Sequence, residues 1–93
     1  MVKVFRRKQT ERVFLREAVS KFSQDVCRKA LRKLLLLDAA ERLDDLRVPP
    51  GNQLEKPAGD RKGQYSIRIN DRWRICFHWE GGDAVDVEIV DYH

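Results

Sequence analysis

The chain has only two cysteines, Cys27 and Cys76, and no CxxC or Cys/His ligand spacing surrounds either. Two thiols are too few for the disulfide framework of a small secreted domain, and neither sits in a metal-site pattern. Both are expected as reduced, packed side chains. Long apolar runs are missing too: Leu34-Leu35-Leu36-Leu37 is four long and flanked by charge, against about 20 residues needed to span a bilayer. The basic N-terminus has no apolar segment behind it, so no signal peptide is expected. The reading is a cytoplasmic protein with no membrane partner. Gly59-Asp60-Arg61-Lys62-Gly63 is glycine-bounded and basic but lacks the Gly-Lys-Ser/Thr ending of a phosphate-binding loop. GxSxG, a Cys/His nucleophile pair and any metal-ligand cluster are likewise absent. No cofactor and no metal is expected.

Charge is unevenly placed. Residues 75–93 carry five acids and no Lys or Arg, whereas residues 1–46 hold 12 Lys/Arg against 7 Asp/Glu and residues 47–74 hold 7 against 3. The net +4 and sequence pI near 9.3 suit a polyanionic partner, although many small soluble proteins share that balance without binding nucleic acid.

Ninety-three residues, 42% hydrophobic and 37% charged, predict one domain spanning 1–93 with a modest core. Val2-Lys3-Val4-Phe5 alternates as a short strand. Thr10 is a candidate cap for a first helix lined by Val13, Phe14 and Ala18, and Ser23 for a second. In that second helix Val26, Ala30, Leu34 and Leu37 form an apolar stripe with Cys27 and Leu31 alongside. Arg28, Lys29, Arg32 and Lys33 fall mainly opposite and read as a solvated face. Asp38 to Leu43 starts a further short helical stretch ending by Arg47, and Pro49-Pro50-Gly51-Asn52 breaks it. Gln64–Ile69, Arg72–Trp79 and Ala84–Tyr92 then alternate with period two, separated by Asn70-Asp71 and Gly81-Gly82 turns. Helices followed by an antiparallel meander define an α+β fold: a small antiparallel sheet with two to three N-terminal helices packed on one face. Trp73, Ile75, Phe77 and Trp79 share one strand parity. That face serves as core more economically than as a base-stacking platform.

A two-residue Gly81-Gly82 turn pairs Glu80 with Asp83. Counting outward, His78 faces Val85, Cys76 faces Val87, Arg74 faces Ile89 and Arg72 faces Asp91. Arg72, Arg74, Asp91 and His93 then converge at one end of one face, with Arg74 emerging to solvent away from Trp73 and Ile75. The same register sets Val85, Val87 and Ile89 beside the arginines rather than the tryptophans, an internal tension. RNA can be cut without metal when a base takes the ribose 2′-proton, an acid protonates the leaving 5′-oxygen and a cation holds the phosphorane. His and carboxylates suit proton transfer near neutral pH, and the fork of Arg suits phosphate. Asp91-Tyr92-His93 with Arg74 meets these needs. Equally open are an Arg72–Asp91 cross-strand ion pair and an idle terminal histidine.

The run P-P-G-N-Q-L-E at 49–55, then G-D-R-K-G-Q-Y-S-I-R-I-N-D-R-W-R-I-C-F at 59–77, then V-E-I-V-D-Y-H at 87–93 resembles the HigB-type plasmid-maintenance killer toxins of the RelE superfamily. The resemblance implies a RelE-like fold with a basic concave face, ribosome-dependent cleavage of messenger RNA, and an antitoxin of HigA type with a helix-turn-helix domain. Operator DNA is then reached only through the antitoxin. It implies catalytic positions at Asp91, Tyr92 and His93, with Arg74 facing the phosphate. Lys56, Arg61, Lys62, Arg68 and Arg72 are expected to bind RNA. Some members carry His where Glu55 stands and Lys where Ala58 stands. This chain has neither, which leaves Glu55 or Asp91 as candidate general base. Two other classes compete: a non-catalytic basic RNA- or DNA-binding module of the same fold, and a protein whose basic face only docks an acidic partner.

Overall fold

The computed structural model describes residues 1–56 and 63–91. Two helices, α1 (Lys8–Phe14) and α2 (Gln24–Ala39), precede two 3-10 turns at Leu43–Arg47 and Pro50–Asn52. Strands β1 (Tyr65–Arg68), β2 (Trp73–Glu80) and β3 (Asp83–Asp91) follow, forming an antiparallel sheet in the order β1-β2-β3. The α+β expectation holds, with helices on one face of a meander.

Ser23 caps α2 as its sequence suggests, its Oγ accepting from the Val26 amide at 3.1 Å. Along α2, Ala30, Leu34 and Leu37 are fully buried, the spacing of one helical stripe. Thr10 is not a cap. It lies inside α1, fully buried, and its Oγ1 accepts from the Ile89 amide at 3.0 Å. This hydroxyl satisfies a strand amide that would otherwise be stranded under the helix. The first helix also ends sooner than expected, leaving Ala18 exposed beyond it while Val19 packs into the core. No separate helix starts at Asp38: α2 runs through Ala39, and the chain resumes as a 3-10 turn. There the Asp45 carboxylate accepts from the Glu41 and Arg42 amides at 3.0 Å each. Those bonds hold its carboxyl below the usual range.

The N-terminal segment is not a regular strand. It touches β3 through two isolated parallel bridges, Val2 to Ala84 and Phe5 to Val87. On the other side of the sheet Glu55 bridges Ser66 antiparallel, with reciprocal backbone bonds of 2.9 and 2.8 Å. Both edges of the sheet are thus partly covered by irregular chain, which limits edge-to-edge association.

The Gly81-Gly82 turn forms as expected, with Glu80 opposite Asp83 and His78 opposite Val85. Both glycines have positive φ, 58° and 85°, which a two-residue hairpin turn of this hand requires. Beyond His78 the simple count fails. Cys76 pairs with Glu88, Arg74 with Val90 and Trp73 with Asp91, because the ladder shifts between Cys76 and His78. Two residues of β3, Asp86 and Val87, stand opposite Phe77 alone, and Asp86 adopts φ 53°. This is a β-bulge with its extra residue in the left-handed region. It flips Val87 and Ile89 to the Trp73 side, where both are buried against the helices, and so resolves the tension in the sequence register. Trp73, Ile75 and Phe77 form the core face, with Trp79 half-buried against it. Phe22 meets Trp73 edge-on, with ring centroids 5.1 Å apart. Cys76 is buried on the opposite face and Cys27 half-buried on α2.

Candidate functional site

The bulge gives the second face of the sheet its character. Ser66, Arg74, Cys76 and Glu88 occupy it, all buried. Arg74 is not solvent-facing as the strand parity alone implied: its side chain is 7% exposed. Its Nε donates to Ser66 Oγ at 2.9 Å, and its Nη2 donates to the Gln53 and Ser66 carbonyls. The Glu55 carboxylate stands 3.5 Å from the same guanidinium. A planar fork held at several points cannot swing, so Arg74 presents a fixed positive charge.

The segment that holds it is built locally. Asn52 is fully buried and its side-chain amide donates to the Leu46 and Val48 carbonyls at 3.1 and 3.3 Å. The following Gln53 takes a left-handed φ of 44°, which turns its carbonyl toward Arg74. Glu55 then joins β1 through its bridge to Ser66. Gln53, Glu55, Arg68, Asn70, Asp71 and Arg74 line an open polar cleft of about 290 Å³. Arg68 is partly exposed at its mouth and bonded to Asp71. Sequence reasoning missed Asn52, Gln53 and Ser66. The P-P-G-N-Q-L-E run did mark the segment, but nothing in the run says that its backbone would serve as acceptor for an arginine twenty-one residues on.

The structure does not bring all expected residues together. Arg74 pairs with Val90 and Trp73 with Asp91, and neighbouring strand positions project to opposite faces. The Cβ of Asp91 therefore leaves the sheet on the Trp73 side, and the expected convergence of Asp91 with Arg74 on one face fails. The expected contact of Arg72 with Asp91 is present: Nε and Nη2 both lie 3.0 Å from one carboxylate oxygen. Arg72 reaches it diagonally, its guanidinium lying 4.8 Å from the Trp73 ring centroid. Lys56 is exposed next to Glu55. Arg61, Lys62, Tyr92 and His93 lie outside the described residues. Among the described residues no group of three His, Cys, Asp or Glu is placed to hold a metal ion.

Residues 3–93 match the model of the RelE-like toxin of type II toxin–antitoxin system HigB. The chain is 49% identical to Toxin HigB-1 of Vibrio cholerae over 55 residues, 59% of this chain and 58% of that protein. It is 34% identical to an uncharacterized protein of Haemophilus influenzae over 65 residues, 70% of this chain and 64% of that one. It is also 34% identical to Endoribonuclease HigB of Proteus vulgaris over the full length of both. The aligned stretch thus spans less than two thirds of the Vibrio and Haemophilus relatives and all of the Proteus one.

Proposed function

Because the chain belongs to the family of RelE-like HigB toxins of type II toxin–antitoxin systems, we propose that it is an endoribonuclease that cuts translated messenger RNA on the ribosome without a metal, acting as one domain over residues 1–93. The observation that carries this reading is Arg74, a guanidinium fixed in a polar cleft beside a carboxylate. An in-line attack by the ribose 2′-oxygen forms the 2′-O–P bond and breaks the P–O5′ bond. The 2′-proton passes to a base and the 5′-oxygen receives a proton from an acid, leaving a 2′,3′-cyclic phosphate. A preorganised cation is worth most on the doubly charged phosphorane between these states. Glu55 stands where a base would serve that phosphate, whereas Asp91 leaves the sheet on the far face; Tyr92 and His93 are the remaining proton-transfer groups, and Lys56, Arg61, Lys62, Arg68 and Arg72 supply the backbone contacts.

The type II family brings an antitoxin partner. The finer reading is a helix-turn-helix antitoxin of HigA type, with operator DNA reached only through it. No helix among the described residues is long and apolar enough to cross a membrane, and a ribosomal target places the protein in the cytoplasm.

Primer extension on a ribosome-bound message after induction tests the reading, together with the chemistry of the ends. Cyclic or 3′-phosphate ends that persist under chelation, with ribosomes kept intact, support it; 3′-hydroxyl ends mean attack by water and overturn it. Loss of a general base costs about 10²- to 10⁴-fold in rate, so Glu55→Gln should show that loss, while Asp91→Asn, on the far face, should cut nearly as the parent does. The inward bonds of Arg74 favour one rival, a non-catalytic RNA-binding module in which Arg74 only ties residues 53–55 to β1. Retained RNA affinity with no cleavage by the unaltered chain selects that rival.

A further inference from the structure

Lys29, Arg32 and Lys33 lie three and four positions apart on α2, so their side chains leave one side of the helix. By sequence this stripe reads as a solvated face. In the structure it forms one wall of a groove of about 330 Å³, with Pro49, Arg68 and Asn70 opposite. Among the described residues four cations line it and no carboxylate does. Lys33 Nζ donates to the side-chain oxygen of buried Asn52. Burial and the charges of Arg32 and Arg68 push the Lys33 pKa down. Lys29 shares Asp25 with Arg28 at the helix surface, at 3.3 and 2.6 Å. Arg32 makes no ion pair with any described residue. Arg68 and Asn70 also line the Arg74 cleft, so the groove and the cleft share a wall.

Asp25 and Asp71 pair with Lys29 and Arg68, but Arg32 and Lys33 have no such partner among the described residues, and a polyanion laid between these cations relieves their repulsion. We propose that the groove of Lys29, Arg32, Lys33 and Arg68 binds the phosphate backbone of the RNA strand flanking the nucleotide held at Arg74. The assignment rests on the RNA-cutting reading above and extends the RNA contact from the sheet onto α2. Its contacts are to phosphate alone, so they set register and affinity without selecting bases.

The test is the double variant Lys29→Gln, Arg32→Gln. Glutamine keeps helix propensity at both positions, and Lys33 is left in place because it holds Asn52. Binding of a labelled single-stranded oligoribonucleotide, 2′-O-methylated so that it cannot be cut, is measured against salt for the full chain. Two lost contacts should flatten the slope of log K against log salt by about 1.4, at about 0.7 per phosphate on single strands. A dinucleotide that fills only the cleft should bind both proteins alike. An unchanged slope with the long strand overturns the groove, as does a variant that loses antitoxin affinity while its RNA slope is kept. Cleavage on programmed ribosomes is read separately. An unaltered chain that binds through the groove but cuts nothing removes the endoribonuclease reading and keeps the groove. A double variant with unchanged slope and normal cleavage does the reverse.

Discussion

On one face of the sheet Ile67, Ile75, Phe77 and Ile89 are buried beneath the helices; on the other, Ser66, Arg74, Cys76 and Glu88 are buried nearly as completely, with two formal charges among them. The first face is held by non-directional burial, roughly proportional to the apolar area hidden. The second is held by partners from distant segments. Arg74 is met by Gln53 and Glu55, and the Glu88 carboxylate by Arg6 and Arg7 at 3.6 and 3.4 Å. A charge taken out of water must be compensated to persist. The polar face therefore ties the irregular parts of the chain to the sheet, and with them the segment that shapes the cleft. Equal burial on the two faces has unequal meaning: one face stores stability and the other stores the direction of charges.

Phe77→Ala breaks the apolar face and carries the largest expected effect. A fully buried ring replaced by alanine should cost about 3–5 kcal/mol, out of a total stability of about 5–15 kcal/mol for a domain. The denaturation midpoint should fall sharply, and activity should be lost only where the protein unfolds. Ile75→Val, at about 0.5–1.5 kcal/mol, calibrates the same face. A Phe77→Ala protein as stable as its parent would mean that this face is not the core.

Arg74→Lys tests the polar face, and here the buried geometry changes what a strand-surface position would lead one to expect. Lysine keeps the charge but loses the planar fork. If the fork clamps the phosphorane, single-turnover cleavage on programmed ribosomes should fall by about 2–4 kcal/mol of barrier, roughly 30- to 1000-fold. A surface arginine would be replaced at a cost of about 0.5 kcal/mol or less. Replacing the buried Arg74 instead leaves Ser66 and the Gln53 carbonyl short of a donor, so folding should lose about 1–3 kcal/mol as well. Near-normal cleavage by this variant would remove Arg74 from the site.

Local signals carried much of this architecture in the sequence. Gly81-Gly82 announced its turn, Ser23 its cap, and the parity of Trp73, Ile75 and Phe77 the core face. Two things were not legible, one because its backbone conformation has no marker residue and the other because it depends on residues far apart in the chain. The bulge needs one extra residue in the left-handed region, and Asp86 offers no glycine to mark it. Its trace was indirect, in the misplaced Val87 and Ile89. The burial of Arg74 needs a carbonyl from Gln53, whose position follows from Asn52 anchored under the Leu46–Val48 backbone. Of the candidate site, Arg74, Glu55 and Arg68 come together in the cleft, while the bulge sends Asp91 to the other face.

Arg72 and Asp91 supply the smallest effect and the sharpest contrast with the buried charges. Their side chains are 58% and 40% exposed, so water screens the pair and its formation gains little. Asp91→Asn removes the ionic part alone and should lower stability by about 0.2–1 kcal/mol. Arg72→Gln removes that part together with the guanidinium over Trp73, itself worth about 0.5–1 kcal/mol at an exposed site, so it should cost more. Thermal melts at low and high salt separate the two contributions. The Asp91→Asn cost should fade as the Debye length shrinks from about 10 Å at 0.1 M to about 3 Å at 1 M, whereas Arg72→Gln should retain the share owed to packing on the indole. A cost for Asp91→Asn that is as large as that of Arg74→Lys and indifferent to salt would mean that this pair is as shielded as the buried one. The distinction between charges that staple the fold and charges paired only at its surface would then fail.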